Sequence, residues 1–248
     1  MKKTVLVTGG ASGLGKSLTE HFAKEGYDVA LTYNSSKKKA EFLKKELEDK
    51  YQIKVLPLKC DLSKEEEIKH TIQKVIEVYS KIDILINNAA VEINKEFNLK
   101  TKEDFMYTLE VNLVGTFLIS RYVADIMYQN KYGKIINISS NNALDKNDPV
   151  TLEYDASKLG IISLTHNLAK QYAPYINVNA IAPGWIKTEK IIIENLLLDG
   201  KLNEEESKKI LLNRFAEEED ICNLVLFLSS DKASYINDEI IKIDGGSR

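Results

Sequence analysis

Short apolar runs alternate with segments of helical periodicity along the whole chain, and this alternation constrains the fold more than any other feature. The runs at 5–7, 29–31, 84–86 and 135–136 predict strands that are buried on both faces, as in a parallel sheet. Between them, apolar residues recur every three or four positions, as at 68–79, which indicates amphipathic helices. Because parallel strands require right-handed crossovers, the sequence predicts an α/β fold, a doubly wound parallel sheet with helices on both faces.

We expect a single domain, 1–248. The length of 248 residues allows one large domain or two small ones, but no Gly-, Pro- or Ser-rich linker, repeat or low-complexity tract divides the chain. The alternation pauses at 188–213, where two apolar triplets flank a break at Gly200. This segment predicts a helical excursion within the domain, which we expect to form a mobile lid over a substrate.

Composition argues against several kinds of partner. The formal net charge of −3 gives no basic footprint for nucleic acid. No segment approaches the roughly 20 apolar residues of a membrane span, and the apolar run that ends at Gly9 is too short for a secretory leader. Two distant cysteines and three scattered histidines show no metal or redox spacing. We therefore expect a cytoplasmic protein with no metal, membrane or nucleic-acid partner.

A glycine cluster lies where the first strand turns into the first helix. In "VLVTGGASGLGKSL", Gly9, Gly13 and Gly15 allow a tight turn and a close approach of the backbone to a ligand. The helix that follows offers unpaired N–H groups at its N-terminus. A purely structural turn is the alternative, but the strand–turn–helix context favours a cradle for a diphosphate.

Polar residues follow two other predicted strands, at the sheet edge where ligands bind in open α/β folds. Asn87 and Asn88 follow the strand at 84–86, and for Asn87 we favour a role in tying loops together. Ser139 and Ser140 follow the strand at 135–136, and a serine there could also cap the next segment. Alternation from an inward Ile138 favours Ser140 as the residue that faces a ligand.

Tyr154 and Lys158 are four residues apart in "TLEYDASKLG", which places them one turn apart on one face of a predicted helix. Taken alone, the pair would be read as a solvated lysine beside a half-buried tyrosine.

Taken in order, these motifs resemble those of the short-chain dehydrogenase/reductase family. The matching motifs are Thr8-Gly9-x-x-x-Gly13-x-Gly15, Asn87-Asn88-Ala89, Asn112, Ser140, Tyr154-x-x-x-Lys158 and Pro183-Gly184. The resemblance covers essentially the whole chain and is strongest to the 3-oxoacyl-[acyl-carrier-protein] reductase branch, through "VNAIAPGWIKTE". It implies a single-domain Rossmann-type sheet of about seven strands. Ala90 replaces a usual glycine, and the segment 140–154 is one residue longer and more polar than that branch leads us to expect.

The resemblance implies a catalytic set of Asn112, Ser140, Tyr154 and Lys158. Tyr154 would donate a proton to a substrate carbonyl, and the charge of Lys158 would lower its pKa from the usual value near 10. Lys158 would also hold the nicotinamide ribose. Ser140 would donate a hydrogen bond to the carbonyl oxygen, and Asn112 would hold a water that relays protons.

The resemblance also implies a nicotinamide dinucleotide as cofactor, and no metal. Its expected binding residues are Gly9, Ser12, Gly13, Leu14, Gly15, Asn34, Ser35, Asp61, Leu62, Asn88, Ala89, Ala90, Tyr154, Lys158, Pro183, Gly184, Ile186 and Thr188.

Local charge predicts a preference for NADP(H), with NAD(H) also accepted. Enzymes that bind NAD usually carry an acid about 20 residues beyond the glycine turn, and here Asn34 and Ser35 stand in that region. Lys37 and Lys38 follow closely and would attract a 2′-phosphate. Ser12 stands where many NADP-binding relatives have an arginine, which argues the other way.

The predicted function is NADP(H)-dependent reduction of a carbonyl to a secondary alcohol. The substrate would be a small carbonyl or alcohol compound, carried on a thioester if the branch resemblance holds. The alternatives are a sugar or polyol dehydrogenase and, ranked lower, a non-catalytic nucleotide-sensing protein. Relatives imply a homotetramer built through helices at 101–129 and 152–172 and a last strand at 240–243.

Overall fold

All seven strands of the structure, a computed structural model, are hydrogen-bonded in parallel into one sheet. The structure describes residues 2–197 and 201–247. The strands are β1 (Thr4–Val7), β2 (Asp28–Tyr33), β3 (Val55–Lys59), β4 (Ile84–Asn87), β5 (Gly133–Ile138), β6 (Ile176–Pro183) and β7 (Ile240–Ile243). Their order across the sheet is β3-β2-β1-β4-β5-β6-β7. The predicted doubly wound, Rossmann-type α/β sheet is confirmed.

Helices connect the strands and cover both faces of the sheet. They are α1 (Gly13–Lys24), α2 (Lys37–Tyr51), α3 (Glu65–Tyr79), α4 (Lys102–Leu109), α5 (Gly115–Gln129), α6 (Leu152–Tyr172), α7 (Glu189–Leu197), α8 (Lys201–Ser207) and α9 (Glu218–Ser229). A π-helical segment, Glu110–Val114, joins α4 to α5 with right-handed helical backbone at both junctions. The helix expected at 101–129 is therefore interrupted by one wider turn, whereas α6 has the expected bounds.

Side chains of each strand alternate between two separate hydrophobic cores. Val5 and Val7 of β1 pack into one core with α1, α2 and α9, while Leu6 packs into the other with α3, α5 and α6. This period of two follows from the strand pleat. It explains why the central strands are continuously apolar in sequence, since both of their faces are covered.

A chain of buried amide and hydroxyl groups crosses the middle of the sheet. The Nδ2 atom of Asn87 in β4 donates to Ser120 Oγ in α5 and to Asn137 Oδ1 in β5, each at 2.7 Å. Asn137 Nδ2 in turn donates to Thr165 Oγ1 in α6 at 2.9 Å. Buried polar groups need such partners. Asn87 thus joins neighbouring elements and faces the interior of the protein.

The predicted lid segment 188–213 contains α7 and α8, so its helical character is present. The positions around its proposed break, 198–200 with Gly200, lie outside the described residues. Ion pairs connect the start of α7 to distant elements: Glu189 contacts Lys39 of α2 at 3.3 Å, and Lys190 contacts Glu92, beyond β4, at 3.2 Å. Such exposed pairs contribute little individually.

Candidate active site

Two cavities lie at the carboxyl ends of the strands, where the sheet order reverses between β1 and β4. The first, of about 380 Å³, is lined by residues that follow β1 to β4, and we call it the glycine cavity. The second, of about 700 Å³, is lined largely by residues that follow β5 and β6, and we call it the tyrosine cavity. The placement matches the crevice in which open α/β sheets bind ligands.

The glycine turn fits closely against the loop after β4. A Cβ atom on Gly15 would lie 2.2 Å from the carbonyl oxygen of Gly9 and 2.5 Å from Asn88 Nδ2, so only glycine fits there. Gly9 has a φ of +64°, in the left-handed region that glycine adopts without strain. The hydroxyl of Thr8 accepts the backbone N–H groups of Asn88 and Ala89, at 2.9 and 3.0 Å, which fixes the two loops to each other.

The outer rim of the glycine cavity is uncharged next to β2. Asn34, Ser35 and Ser36 line it there, while Lys37 and Lys38 are exposed nearby but do not line it. Asp61 is the one carboxylate among the described residues that line this cavity. Burial acts to raise the pKa of Asp61, but hydrogen bonds from the Ser63 hydroxyl and backbone N–H outweigh it and hold that pKa below its usual value.

Ser140 and Tyr154 both line the tyrosine cavity, and the Ser140 hydroxyl is close enough to lower the pKa of Tyr154. Lys158 is buried beneath them: its Nζ donates to the carbonyl of Ile138 at 2.7 Å and lies 5.3 Å from the ring centroid of Tyr154. The neighbouring Ser139 has a different role, since its Oγ donates to the carbonyl of Lys158 at 2.9 Å. The structure thus places Ser140, as predicted, and not Ser139, beside the tyrosine.

The expected lowering of the Tyr154 pKa does not appear in the structure. Burial of the hydroxyl raises the pKa of Tyr154, the Glu92 carboxylate raises it further, and the neighbouring Ser140 hydroxyl lowers it only in part. Burial also lowers the pKa of Lys158 to about 8, with Glu92 opposing this change. The sequence reasoning counted the charge of Lys158 but not the loss of water around both groups, which is the larger effect.

Asn112 lies in the π-helical segment, and its side chain is fully buried. Its Nδ2 donates to the carbonyl of Val91 at 2.8 Å and to Ser157 Oγ at 3.1 Å, while its Oδ1 accepts the Val91 N–H at 2.7 Å. Both amide hydrogens are therefore used to join the loop after β4 to α6. A water relay through this side chain stays a prediction, and only a second lone pair of Oδ1 remains for it.

The structure brings most of the predicted cofactor-binding residues to the two cavities. The glycine cavity is lined by Gly9, Ser12, Leu14, Gly15, Asn34, Ser35, Asp61, Leu62, Asn88, Ala89 and Ala90. The tyrosine cavity is lined by Tyr154, Gly184, Ile186 and Thr188. Gly13, Lys158 and Pro183 line neither cavity.

Sequence reasoning missed several residues of the site. Val91 and Glu92 directly follow the Asn-Asn-Ala motif and its neighbour Ala90, and they line the glycine and tyrosine cavities respectively, so extending the motif would have found them. Tyr107 reaches the glycine cavity from α4, and no local pattern marks it. Next to Tyr154, the fully buried Glu153 forms an ion pair with Lys100 at 2.6 Å, which ties the segment before α4 to α6.

Within 2–197 and 201–247, His, Cys, Asp and Glu side chains form no cluster of three or more that could hold a metal ion. None of the helices in those ranges combines the length and hydrophobicity that a transmembrane span requires.

Comparison with known proteins gives consistent matches over the whole chain. Residues 3–192 match the family described as short chain dehydrogenase. Proteins named 3-oxoacyl-[acyl-carrier-protein] reductase FabG are similar: that of Aquifex aeolicus is 35% identical over 98% of this chain and 96% of its own, and that of Thermotoga maritima is 37% identical over 98% and 97%. The crystal structure of levodione reductase superposes with a TM-score of 0.91 at 32% identity, covering 98% of this chain and 96% of that one.

The buried Lys158 predicts an unusual pH dependence of stability in the protein without cofactor. The folded protein releases the Lys158 proton near pH 8, whereas the unfolded chain keeps it to about 10.4. The unfolded state therefore binds more protons between these pH values, so the contribution of Lys158 to stability increases with pH. We expect urea unfolding to show this by comparison with Lys158→Met. Between pH 8 and pH 10, the free energy of unfolding of the wild type should rise relative to that of the variant by on the order of 2 kcal/mol. A difference that does not change with pH would contradict this pKa.

Proposed function

Because the chain belongs to the short-chain dehydrogenase family of NAD(P)-dependent oxidoreductases, we propose that it reduces a small-molecule carbonyl to a secondary alcohol with Tyr154 as proton donor. The main support for the proposal is that Ser140 and Tyr154 line the same cavity, directly above the buried Lys158. The glycine cavity, at the same sheet edge, provides room for one half of a dinucleotide. Site and fold therefore support the same activity.

The residues of both cavities fit a nicotinamide dinucleotide. The close contact of Gly9 with Gly15, at the N-terminus of α1, leaves backbone N–H groups available for a diphosphate. Because β2 and β3 end beside the glycine cavity and β5 and β6 beside the tyrosine cavity, we assign the adenosine half to the first and the nicotinamide half to the second. The bound dinucleotide would supply the hydride. Side chains of this protein would bind the substrate carbonyl and supply the proton.

In the proposed reaction, the substrate carbonyl oxygen accepts hydrogen bonds from the hydroxyls of Ser140 and Tyr154. As negative charge develops on that oxygen, Tyr154 transfers its proton to it, a step that is typically worth about 10²–10⁴-fold in rate. The raised pKa of Tyr154 keeps the phenol protonated and ready to donate. The Lys158 ammonium, 5.3 Å from the ring centroid, then stabilises the phenolate that remains.

A finer proposal concerns the form in which the substrate is presented. The relatives from Aquifex aeolicus and Thermotoga maritima are named for a 3-oxoacyl group on an acyl carrier protein. We extend this to a 3-oxoacyl thioester as the first substrate to test. The large cavity of about 700 Å³ has room for an acyl group.

One observation favours a second candidate, a sugar or polyol dehydrogenase. The apolar side chains that line the tyrosine cavity are few (Pro149, Trp185, Ile186 and Ile191), whereas Asn, Asp, Lys, Ser and Thr side chains predominate. Such a lining suits a hydroxylated substrate better than a long acyl chain. The non-catalytic alternative is less well supported, because a protein that only senses nucleotides needs no tyrosine–lysine pair.

We propose NADP(H) as the preferred form of the cofactor. The support is the uncharged rim formed by Asn34, Ser35 and Ser36, where a carboxylate would repel a 2′-phosphate. Lys37 and Lys38 begin α2 beside this rim and make no ion pair among the described residues, so both charges are free to attract a phosphate.

We also propose a homotetramer that works in the cytoplasm. Large apolar side chains are exposed along α4 to α6, including Met106, Phe117 and Leu159, with 40 to 55% of each accessible. Exposed large apolar side chains on neighbouring helices support an interface there. Both cysteines are buried free thiols, which fits a reducing compartment.

The test of the activity is Tyr154→Phe, with Tyr235→Phe as a matched control because Tyr235 is fully exposed. The substrate is first identified among acetoacetyl thioesters, simple ketones and aldoses by nicotinamide absorbance. Tyr154→Phe should lose about 10²–10⁴-fold in kcat and keep its cofactor affinity, since only the proton donor is removed. A variant that retains most of the wild-type kcat would show that the proposed mechanism is wrong.

The test of cofactor preference is Asn34→Asp, compared with Asn130→Asp, an exposed residue at the end of α5. The new carboxylate should raise the KM for NADPH far more than that for NADH, and the control should change neither. A wild type whose kcat/KM favours NADH tenfold, about 1.4 kcal/mol in the opposite direction, would contradict the proposal.

The test of assembly is light scattering at micromolar concentration. Leu159→Glu places a charge in the proposed interface and should convert the tetramer to a smaller species, whereas Phe42→Glu, at a 72% exposed residue of α2, should not. A monomeric wild type would exclude this assembly.

A further inference from the structure

A buried carboxylate lies directly after the proposed proton donor. Asp155, in the first turn of α6, is 6% exposed, and its oxygens accept three hydrogen bonds from one short segment. Asn142 Nδ2 and Thr151 Oγ1 donate to Oδ1 at 2.9 and 3.0 Å, and the backbone N–H of Asp148 donates to Oδ2 at 2.8 Å. None of the described Lys, Arg or His side chains forms an ion pair with it.

The segment that Asp155 holds, 141–151, forms a wall of the tyrosine cavity. Eight of its residues line the cavity: Asn141, Asn142, Asp145, Lys146, Asn147, Asp148, Pro149 and Thr151. Short 3₁₀ turns at Asn141–Ala143 and Pro149–Thr151 are its only regular structure. The wall therefore has little internal structure to keep its shape, and contacts with the rest of the molecule must provide it.

Asn142 connects Asp155 to Ser140 through two hydrogen bonds. The Ser140 hydroxyl accepts the backbone N–H of Asn142 at 3.2 Å, and the side chain of Asn142 donates to Asp155. One residue thus joins the serine that would bind the substrate carbonyl to the carboxylate next to Tyr154. The two hydroxyls that must meet a single carbonyl oxygen are linked through this path.

The hydrogen bonds of Asp155 favour a single position of the 141–151 wall. A buried carboxylate is costly unless its oxygens are hydrogen-bonded, and here the donors come from the wall itself. If the wall moved away, Asp155 would lose the donors of Asn142 and Asp148 and keep only Thr151, which directly precedes α6. The carboxylate therefore stabilises one position of the wall over the alternatives.

We propose that Asp155 is a positioning residue, which holds the 141–151 wall and Ser140 in place relative to Tyr154 and so determines how the substrate carbonyl is presented. The catalytic part of this proposal rests on the proposed reductase function. Displacements near 1 Å in such a site cost about 10²-fold in rate.

The experiment compares Asp155→Ala and Asp155→Asn with Asp49→Ala, the same chemical change at an exposed residue of α2. Hydrogen exchange across 141–151 reports the wall without any need for activity, and the Asp148 amide, which donates to Asp155, reports it directly. Steady-state kinetics with the substrate identified for the wild type reports the catalytic consequence.

We expect Asp155→Ala to speed exchange of the Asp148 amide at least tenfold and to lower kcat/KM by about 10²-fold. Asp155→Asn should retain most of both properties, because the introduced side-chain amide can donate to a flipped Asn142 and still accept from Asp148. Asp49→Ala should match the wild type. If Asp155→Ala does not fold, Asn142→Ala removes one of the three contacts and should move both readouts in the same direction.

Wild-type exchange at Asp148 in Asp155→Ala would overturn the proposal, as would faster exchange with unchanged kcat/KM. An Asp155→Asn variant as impaired as Asp155→Ala would also overturn it, since charge and not hydrogen bonding would then be decisive. Absence of carbonyl reduction in the wild type would refute the proposed function alone, because the exchange data would still show whether Asp155 holds the wall.

Discussion

Parallel hydrogen bonding of β1 to β2 on one side and to β4 on the other is the constraint on which the site depends. It brings the carboxyl ends of the strands to one edge and reverses the strand order at β1, so the loops on either side diverge and leave a crevice. The glycine turn after β1 borders that crevice. Residues that are far apart in sequence, such as Gly9 and Ser140, reach the same edge for this reason alone.

Several polar residues near the crevice hold its loops and helices in place around the side chains that would react. Asn112 joins the loop after β4 to α6, Ser139 holds the backbone of Lys158, and Glu153 and Asp155 fix two segments on either side of Tyr154. Each is buried, and each has partners on another element. Because a buried polar group is costly without a partner, these contacts specify one arrangement of the loops. Reactive groups in the cavities are thereby held at defined distances.

Much of the fold and of the site could be predicted from the chain. The strands at 5–7, 29–31, 84–86 and 135–136 and the cavity position of Ser140 followed from periodicity and alternation, which depend on neighbours in sequence, whereas the bounds of α6 came from the family resemblance. The pKa of Tyr154 could not be predicted, because it depends on burial and on Glu92, which lies far earlier in the chain and meets it only in the folded protein. The contacts of Asn112 were missed for the same reason, since Val91 and Ser157 are its partners.

Hydrophobic periodicity and the glycine turn sufficed to establish a doubly wound sheet with a ligand crevice, because both are properties of short segments and of the backbone. The spacing of Tyr154 and Lys158 placed both on one helix face, again a local matter of one helical turn, whereas the proposed catalytic role of Tyr154 came from the family resemblance. The electrostatics of that pair, the wall that Asp155 holds and the use of both Asn112 amide hydrogens depend on contacts between segments that are separate in the chain. Such contacts are established by packing in three dimensions, where burial changes the energy of every charge and hydrogen bond, and no local pattern records them.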